Sequence, residues 1–206
     1  MSRQGKSVPG WVVDMLSTGR SSFYVERNGR STFWDPKSKS AKAMPDDPRA
    51  LRFRTLKQEQ SRVIHDGLGT SLVDLGDGVL ACEFHTKMNV IDDDVVADLN
   101  KALDLCEAGR YGALVVTNDG ANFCAGANLL MLYLTLQQRD FAKIEAIVRA
   151  FQDVCVRLKY SSVPTVAAPF QMTLGGGAEL AMWCNRIQAH AELYMGLVEV
   201  GVGIIP

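Results

Sequence analysis

Three consecutive glycines stand directly before a predicted helix in the stretch TLGGGAELAMWC, residues 173–184. A tight turn needs one or two glycines, so the triplet Gly175-Gly176-Gly177 indicates that something approaches the main chain closely. Glu179 follows in the first helical turn, where an acid can stabilise the helix dipole or transfer a proton. A second glycine-bearing turn, FCAGANL, also precedes an apolar run. Main-chain N–H groups at two such helix entrances form an oxyanion hole if they converge.

No other catalytic motif has comparable support. The nearest approach to the dinucleotide motif G-x-G-x-x-G begins at Gly67 and has Leu72 where the third glycine belongs, and no G-x-x-x-x-G-K-[ST] occurs. His65, His85 and His190 have no acid or cysteine at useful spacing. The sequence therefore predicts neither a nucleotide site nor a catalytic histidine.

The cysteines indicate a reducing compartment. They are five in number and scattered, with no C-x-x-C pair and no histidine at zinc-finger spacing: Cys82, Cys106, Cys124, Cys155 and Cys184. We therefore predict reduced packing thiols in a cytoplasmic protein, and no metal site. Cys124 lies in the FCAGANL turn and could line a pocket, but no basic neighbour in sequence would activate it, so packing is its favoured role.

Composition limits the class of partner. The 206 residues are 47% hydrophobic and 22% charged, which fits one globular domain with additional sequence, and a formal net charge of -1 gives no electrostatic reason to bind nucleic acid. The N-terminal MSRQGKSVPG has no apolar segment behind its basic residues, and no stretch approaches the roughly 18 apolar residues that span a bilayer. We predict neither a nucleic-acid nor a membrane partner.

The chain is predicted to have two parts. Residues 11–34 combine a short helical pattern with two aromatic-bearing arms around Asn28-Gly29, which predicts a hairpin. Residues 35–50 contain three prolines and no periodicity, which predicts a solvated connector. We place the boundary at residue 66, so that residues 1–66 form a small helix-hairpin segment with a linker and residues 67–206 form the main domain.

Strands alternate with helices in the main domain, which predicts an α/β fold. TSLVDL and VLACEF predict a hairpin, ALVVT and TVAA predict buried strands, and RIQAHA and GVGIIP predict further short strands. Two helices are predicted at residues 92–109 and 141–160. Their apolar faces hold Val95, Leu99, Ala102, Leu103 and Cys106 in the first, and Phe141, Ile144, Val148, Phe151, Cys155 and Leu158 in the second. Each glycine-bearing turn follows a strand, where α/β proteins build their sites.

FCAGANL, LGGGAELAMWCN and AELYMGLVEVGVGIIP together resemble the crotonase superfamily of enoyl-CoA hydratases and isomerases. The likeness runs from about Gly67 to Pro206, and it is greatest to the crotonase region of bifunctional 3-hydroxyacyl-CoA dehydrogenase/enoyl-CoA hydratases in which the dehydrogenase comes first. The resemblance implies the α/β crotonase fold, a spiral of ββα repeats, here incomplete at the C-terminus. It also implies that residues 1–66 hold the tail of a dehydrogenase-like region.

The resemblance assigns roles to individual residues. Ala127 and Gly176 match the two oxyanion donors, which act through their main-chain N–H groups, and Glu179 and Glu199 match the two catalytic acids of the hydratases. The turn residues implied to contact substrate are Ala125, Gly126, Asn128, Gly175 and Gly177. Asn128 stands where the family commonly has aspartate, and FQMT stands before LGGG where the family has a glycine-bearing approach. Neither change removes a main-chain donor.

The chemistry implied by the resemblance is the addition of water to a 2-enoyl-CoA thioester in fatty-acid β-oxidation, with the coenzyme A thioester as substrate and no cofactor. Two N–H donors, each contributing roughly 3 kcal/mol, stabilise the enolate-like oxygen, while one glutamate activates water and the other protonates C2. We favour Glu199 as the proton donor and Glu179 as the base. Two alternatives stay open: a crotonase-fold isomerase, and a non-catalytic fragment with a folding or association role.

The resemblance further implies a homo-oligomer at full length, with additional C-terminal helices that close the acyl-CoA site. Because the sequence ends at Pro206, we expect poor activity in the isolated chain and self-association through residues 198–205. Met131, Leu132 and Leu136 follow the first turn, and contact with an acyl chain or core packing explains them equally well.

Overall fold

The computed structural model describes residues 7–27, 30–45 and 51–205. The chain divides into a first unit that ends at Leu51 and a second that begins at Arg52. This division falls earlier than the boundary at residue 66 expected from sequence, because residues 63–66 form a strand that pairs within the second unit.

The described residues of the first unit form one helix and a three-stranded antiparallel sheet. Helix α1 spans Gly10–Ser17, and the strands β1, β2 and β3 span Tyr24–Arg27, Arg30–Asp35 and Ser40–Ala43 and lie in that order. The predicted hairpin of β1 and β2 is confirmed. Its expected turn, Asn28-Gly29, lies outside the described residues.

The predicted connector is wrong for residues 35–43, which turn back and add β3 to the sheet. Asp35 organises the turn, since its carboxylate accepts hydrogen bonds from Lys37 N–H and Ser38 Oγ and pairs with Lys42. These contacts, led by the one with Lys42, hold the pKa of the Asp35 carboxyl below its ordinary value. All four residues of β3 are exposed, so the strand has no buried apolar face by which the sequence could have indicated it.

Over residues 52–205, the second unit contains eight strands in two sheets. They are β4 Val63–Asp66, β5 Thr70–Gly76, β6 Val79–Phe84, β7 Ala113–Thr117, β8 Thr165–Ala167, β9 Met172–Leu174, β10 Arg186–Ile187 and β11 Tyr194–Gly196. The larger sheet has the order β10-β8-β7-β6-β5-β4, parallel from β6 to β10 and antiparallel from β4 to β6. The strands β9 and β11 form a parallel pair. The predicted hairpin and buried strands are confirmed, but RIQAHA contributes only two residues.

Within the same described range, five helices accompany these strands: α2 Phe53–Leu56, α3 Asp93–Glu107, α4 Leu129–Gln137, α5 Phe141–Lys159 and α6 Gly176–Trp183. Single 3-10 turns span Gln60–Arg62, Lys87–Asn89 and Glu199–Val202. The predicted GVGIIP strand is wrong for residues 201–205: the last 3-10 turn includes residues 201 and 202 and is capped by Gly203, whose φ is +82°, and residues 204 and 205 belong to no strand. A helix entrance was predicted after FCAGANL, but the extent of α4 was not, because its residues are mostly apolar around the whole helix and form no helical stripe.

The core of the second unit lies between the larger sheet and helices α3, α5 and α6. The predicted apolar face of α3 is fully buried there, which confirms it. The predicted stripe of α5 is confirmed only near its C-terminus, where Cys155 and Leu158 are buried, whereas Phe141 and Val148 are exposed. The core therefore holds in place the end of β7, which precedes the first glycine-bearing turn, and the start of α6, which contains the second.

Candidate active site

The first glycine-bearing turn lies between two hydrogen-bonded backbone segments. On one side Cys124 N–H donates to Met172 O at 3.1 Å, and Leu174 N–H donates to Cys124 O at 2.9 Å. On the other side Ile91 N–H donates to Gly126 O at 2.9 Å, and Asn128 N–H donates to Ile91 O at 3.0 Å. Ala127, between these bonds, has an N–H group with no acceptor in the part of the chain that the structure describes.

The second turn is formed by the entry to α6. Gly175 has φ +52° and ψ -127°, a backbone conformation that side-chain-bearing residues rarely adopt, and its N–H donates to Gly196 O at 3.0 Å. Gly176 begins the helix, so its N–H has no partner within the helix, and it finds no other acceptor among residues 7–27, 30–45 and 51–205. The helix entrance thus offers a free donor at its positive end.

The two turns meet at their predicted donors. A Cβ atom placed on Gly176 would lie 3.5 Å from the main-chain nitrogen of Ala127, and one placed on Gly126 would lie 3.8 Å from the nitrogen of Gly176. Gly126 has φ +108°, and its Cβ would stand 3.2 Å from Leu174 O. A side chain at Gly126 would therefore force apart the segments that carry the two N–H groups, whereas a methyl group at Gly176 would make ordinary contact with the Ala127 nitrogen.

The third glycine of the triplet, Gly177, is needed for a different reason, the packing of α6 against the first turn. A Cβ atom on Gly177 would lie 2.5 Å from Cys124 Cβ and 2.7 Å from its sulfur, so α6 packs directly onto the first turn here. Cys124 is fully buried, and burial raises the pKa of its thiol to about 11, which fits the predicted packing role. A contact between Gly177 and substrate stays a prediction.

The two acids predicted to be catalytic lie near each other. Glu199 begins the last 3-10 turn and is 8% exposed, and its Oε1 lies 2.9 Å from where a Cβ on Gly175 would stand. Its Oε2 is buried and has no hydrogen-bond partner in the described structure. Glu179 is half-buried in the first turn of α6. Burial, followed by the negative charge of Glu199, raises the pKa of Glu179 above its ordinary value of 4.5.

The remaining turn residues bind mainly to the protein itself. Ala125 N–H donates to Met88 O at 3.3 Å. Asn128 caps α4, since its Oδ1 accepts a hydrogen bond from Met131 N–H at 3.2 Å. An aspartate would cap α4 in the same way, so the capping role is the same whether asparagine or aspartate stands at position 128. Substrate contacts by Ala125, Gly126, Asn128 and Gly175 stay predictions.

The sequence shows no acid at useful spacing from the histidines, but the fold brings one to His65. Its Nε2 lies 2.9 Å from Asp98 Oδ1 and its Nδ1 lies 2.9 Å from Lys101 Nζ, and both partners belong to α3. His85 Nε2 lies 2.9 Å from Ser71 Oγ, which itself donates to Asp66 Oδ1. Since Ser71 is fully buried, this arrangement gives no accessible nucleophile.

Sequence reasoning missed two buried polar residues beside the first turn, Asn89 and Asn118. Their side chains hydrogen-bond to each other and to the main chain just before Cys124. The signal was weak, because an asparagine near a strand end is usually a turn residue.

Over the described ranges, no group of three or more potential ligands suits a metal ion, and no helix there is both long and apolar enough to cross a bilayer.

Comparison with known proteins gives a consistent family. Residues 75–206 match the family described as "Enoyl-CoA hydratase/isomerase". The whole chain is 41% identical to 26% of a Bacillus subtilis protein named "Probable 3-hydroxyacyl-CoA dehydrogenase". Over 59% of the chain it is 36% identical to 17% of a Rickettsia felis protein named "Putative fatty acid oxidation complex trifunctional enzyme".

A solved enoyl-CoA hydratase from Thermoplasma volcanium superposes with a TM-score of 0.60 at 26% identity, over 67% of this chain and 54% of that one. The chain therefore spans about half of this solved hydratase and about a quarter of the Bacillus relative.

Proposed function

The chain belongs to the enoyl-CoA hydratase/isomerase family and has the α/β crotonase fold, and on that basis we propose that residues 67–206 carry the catalytic groups of a 2-enoyl-CoA hydratase. The reaction is the addition of water across the C2–C3 double bond of an enoyl-CoA thioester, as part of fatty-acid oxidation. The observation that carries the proposal is the convergence of two free main-chain donors, at Ala127 and Gly176, beside two neighbouring carboxylates.

The two donors suit the charge that hydration creates. When water attacks C3, electron density moves through C2 onto the thioester oxygen, which becomes enolate-like. Ala127 N–H and Gly176 N–H donate to that oxygen, and each fixed donor of this kind contributes roughly 3 kcal/mol to the transition state. The glycines at positions 126 and 175 allow the two backbone segments to approach each other without side chains between them.

The two acids complete the proton transfers. Glu179 accepts a proton from the attacking water as the oxygen bonds to C3, and Glu199, which must carry a proton when the step begins, delivers it to C2, so the product gains one hydroxyl and one hydrogen. Transfer of the proton from Glu179 to Glu199 through water then restores both acids. A raised pKa makes ionised Glu179 a stronger base near neutral pH than an ordinary glutamate. Two acids support hydration over isomerisation, because moving one proton between two carbons needs only one such group.

The test is the hydration of crotonyl-CoA, followed by the loss of the conjugated thioester absorbance. It uses the 206-residue chain and a chimera that continues after Pro206 with the matching segment of an enoyl-CoA hydratase. We expect the chimera to form 3-hydroxybutyryl-CoA. A folded chimera that forms no hydroxyacyl product, or that only shifts the double bond of a 3-enoyl-CoA, would contradict the proposal.

A further inference from the structure

The segment that faces the first glycine-bearing turn has a strained backbone. Met88 has φ 59° and Asn89 has φ 53°, so two consecutive residues with side chains occupy the left-handed region. This region is unfavourable for residues other than glycine, and asparagine tolerates it better than most. Such a pair persists only where the surrounding structure holds it.

The side chain of Asn89 supplies contacts that hold this conformation. Its Nδ2 donates to Asn118 Oδ1 and to Asn122 O, both at 2.9 Å. Asn118 in turn donates from Nδ2 to Phe123 O at 2.7 Å and accepts Gly120 N–H at 2.8 Å. Asn89 and Asn118 are 7% and 5% exposed, so these bonds are shielded from competing water.

The strained segment is also the backbone to which the first turn is bound. Met88 O accepts the N–H of Ala125, while Ile91 bonds Gly126 through its N–H and Asn128 through its carbonyl. The position of Ala127, between Gly126 and Asn128, therefore depends on where residues 88–91 lie. The Asn89 side chain is hydrogen-bonded to the loop that precedes the turn. Ile91, two residues further along the chain, is hydrogen-bonded to the turn itself.

We propose that Asn89 is a positioning residue, which acts through residues 88–91 to hold Ala127 N–H in line with Gly176 N–H. This inference rests on the proposed function, because the alignment matters only if both groups bind one oxygen. The position needs a side chain that tolerates positive φ and also carries two N–H donors. Among the common residues asparagine best meets both conditions, whereas glycine lacks the donors and aspartate replaces them with acceptors.

The test is Asn89→Asp, which keeps the shape of the side chain and its tolerance of positive φ. The variant places a carboxylate oxygen, which cannot donate, against the two acceptors Asn118 Oδ1 and Asn122 O. In the chimera we expect the kcat of crotonyl-CoA hydration to fall about 10- to 100-fold with KM nearly unchanged, because misplacing the Ala127 N–H affects the transition state most. Protonation of the new carboxyl restores one donor, so the kcat of the variant relative to the parent should rise as pH falls. Asn89→Gly, which keeps the backbone conformation, should lower kcat in the same direction.

Amide hydrogen exchange gives a readout that does not depend on activity. In Asn89→Asp the N–H groups of Ala125 and Asn128 should exchange at least about 10-fold faster, while that of Leu103 in α3 stays unchanged. Asn100→Asp is the matched control, because it makes the same chemical change on α3, where Asn100 bonds Val96 and Arg157. It should alter neither kcat nor exchange in the turn.

The outcomes separate this inference from the proposed function. Unchanged exchange at Ala125 and Asn128 would overturn the role of Asn89 whatever the activity of the parent. Equal acceleration at Leu103 would also overturn it, because the effect would then be general destabilisation. A folded parent chimera without hydratase activity would instead contradict the proposed function.

Discussion

Glu199 combines features that are unfavourable for a purely structural acid. Its carboxylate is almost fully buried, one oxygen has no partner in the described structure, and a second carboxylate lies nearby. Burying a charged group without compensating bonds destabilises a fold, and like charges add to that effect. Such an arrangement is typical of a site where a substrate or water supplies the missing partner.

We expect Glu199→Gln to lower the turnover of enoyl-CoA hydration by about 10² or more while KM stays nearly unchanged. The amide keeps the size of the side chain but cannot deliver the proton to C2. The measurement is steady-state hydration of crotonyl-CoA by the chimera. Glu192→Gln is the control, because Glu192 is an exposed acid on the same stretch of chain. Equal turnover in Glu199→Gln and its parent would remove Glu199 from the mechanism.

Glu179 should make stability depend on pH with a definite sign. Its folded-state pKa is raised, so the folded protein binds its proton more tightly than the unfolded chain does. The stabilisation from that proton is complete below the ordinary value of 4.5 and disappears as pH rises through the folded-state pKa. Glu179→Gln removes the charged form, so we expect a higher Tm than the parent at neutral pH and no gain at a pH well below 4.5. Thermal unfolding at both pH values tests this, and a gain that does not change with pH would contradict it.

At the scale of elements, the site is a junction of four short backbone segments. Residues 124–128 are hydrogen-bonded to β9 on one side and to Ile91 on the other, and α6 begins directly behind β9. Main-chain bonds leave little freedom for Ala127, which is what a preorganised donor requires.

Ala127→Pro should therefore lower turnover by about 10² to 10³, because it deletes the N–H without adding charge. Ala127→Ser keeps the N–H, and since residue 127 is exposed, the added hydroxyl should have a much milder effect. Circular dichroism and crotonyl-CoA hydration of both variants in the chimera give the comparison. Full activity in a folded Ala127→Pro variant would mean that the thioester oxygen binds elsewhere.

The elements with strong local signals could be predicted from sequence, and those that depend on distant partners could not. The apolar face of α3, the β5–β6 hairpin and the strand-to-helix turn at Gly175 each follow from periodicity or turn chemistry within a few residues. The strand β3 was missed because all of its side chains are exposed. In α5 the apolar stripe continues toward Phe141, but only the C-terminal part meets the core.

The candidate site shows the same division. Its glycines and acids lie in recognisable motifs, so their positions could be predicted. Asn89 could not, because its partners Asn118 and Asn122 lie about thirty residues further along the chain. The partners of His65 could not be predicted for the same reason, because Asp98 and Lys101 are distant in sequence and are brought to it only by the position of α3 in the fold.

At the scale of the whole molecule, the described structure ends in an exposed apolar stretch. Val200 and Ile205 are 79% and 90% exposed, and Val198, Val202 and Ile204 are also exposed. The chain covers 54% of the solved Thermoplasma hydratase, so that protein contains much additional structure. Contiguous exposed apolar surface of this kind favours association, and it directly adjoins the buried carboxylate of Glu199.

We therefore expect the 206-residue chain to self-associate and to hydrate crotonyl-CoA poorly, and the chimera to be monodisperse or a defined oligomer and active. A catalytic group must be held within about 0.5 Å by packed neighbours, and although Glu199 is itself buried, Val198 and Val200 on either side of it are exposed. Size-exclusion chromatography and the hydration assay on both forms test this. Val200→Ser with Ile205→Ser should reduce association of the short chain without restoring activity, because it adds no support for Glu199. A monodisperse short chain that is as active as the chimera would show that residues 67–206 already form a complete site.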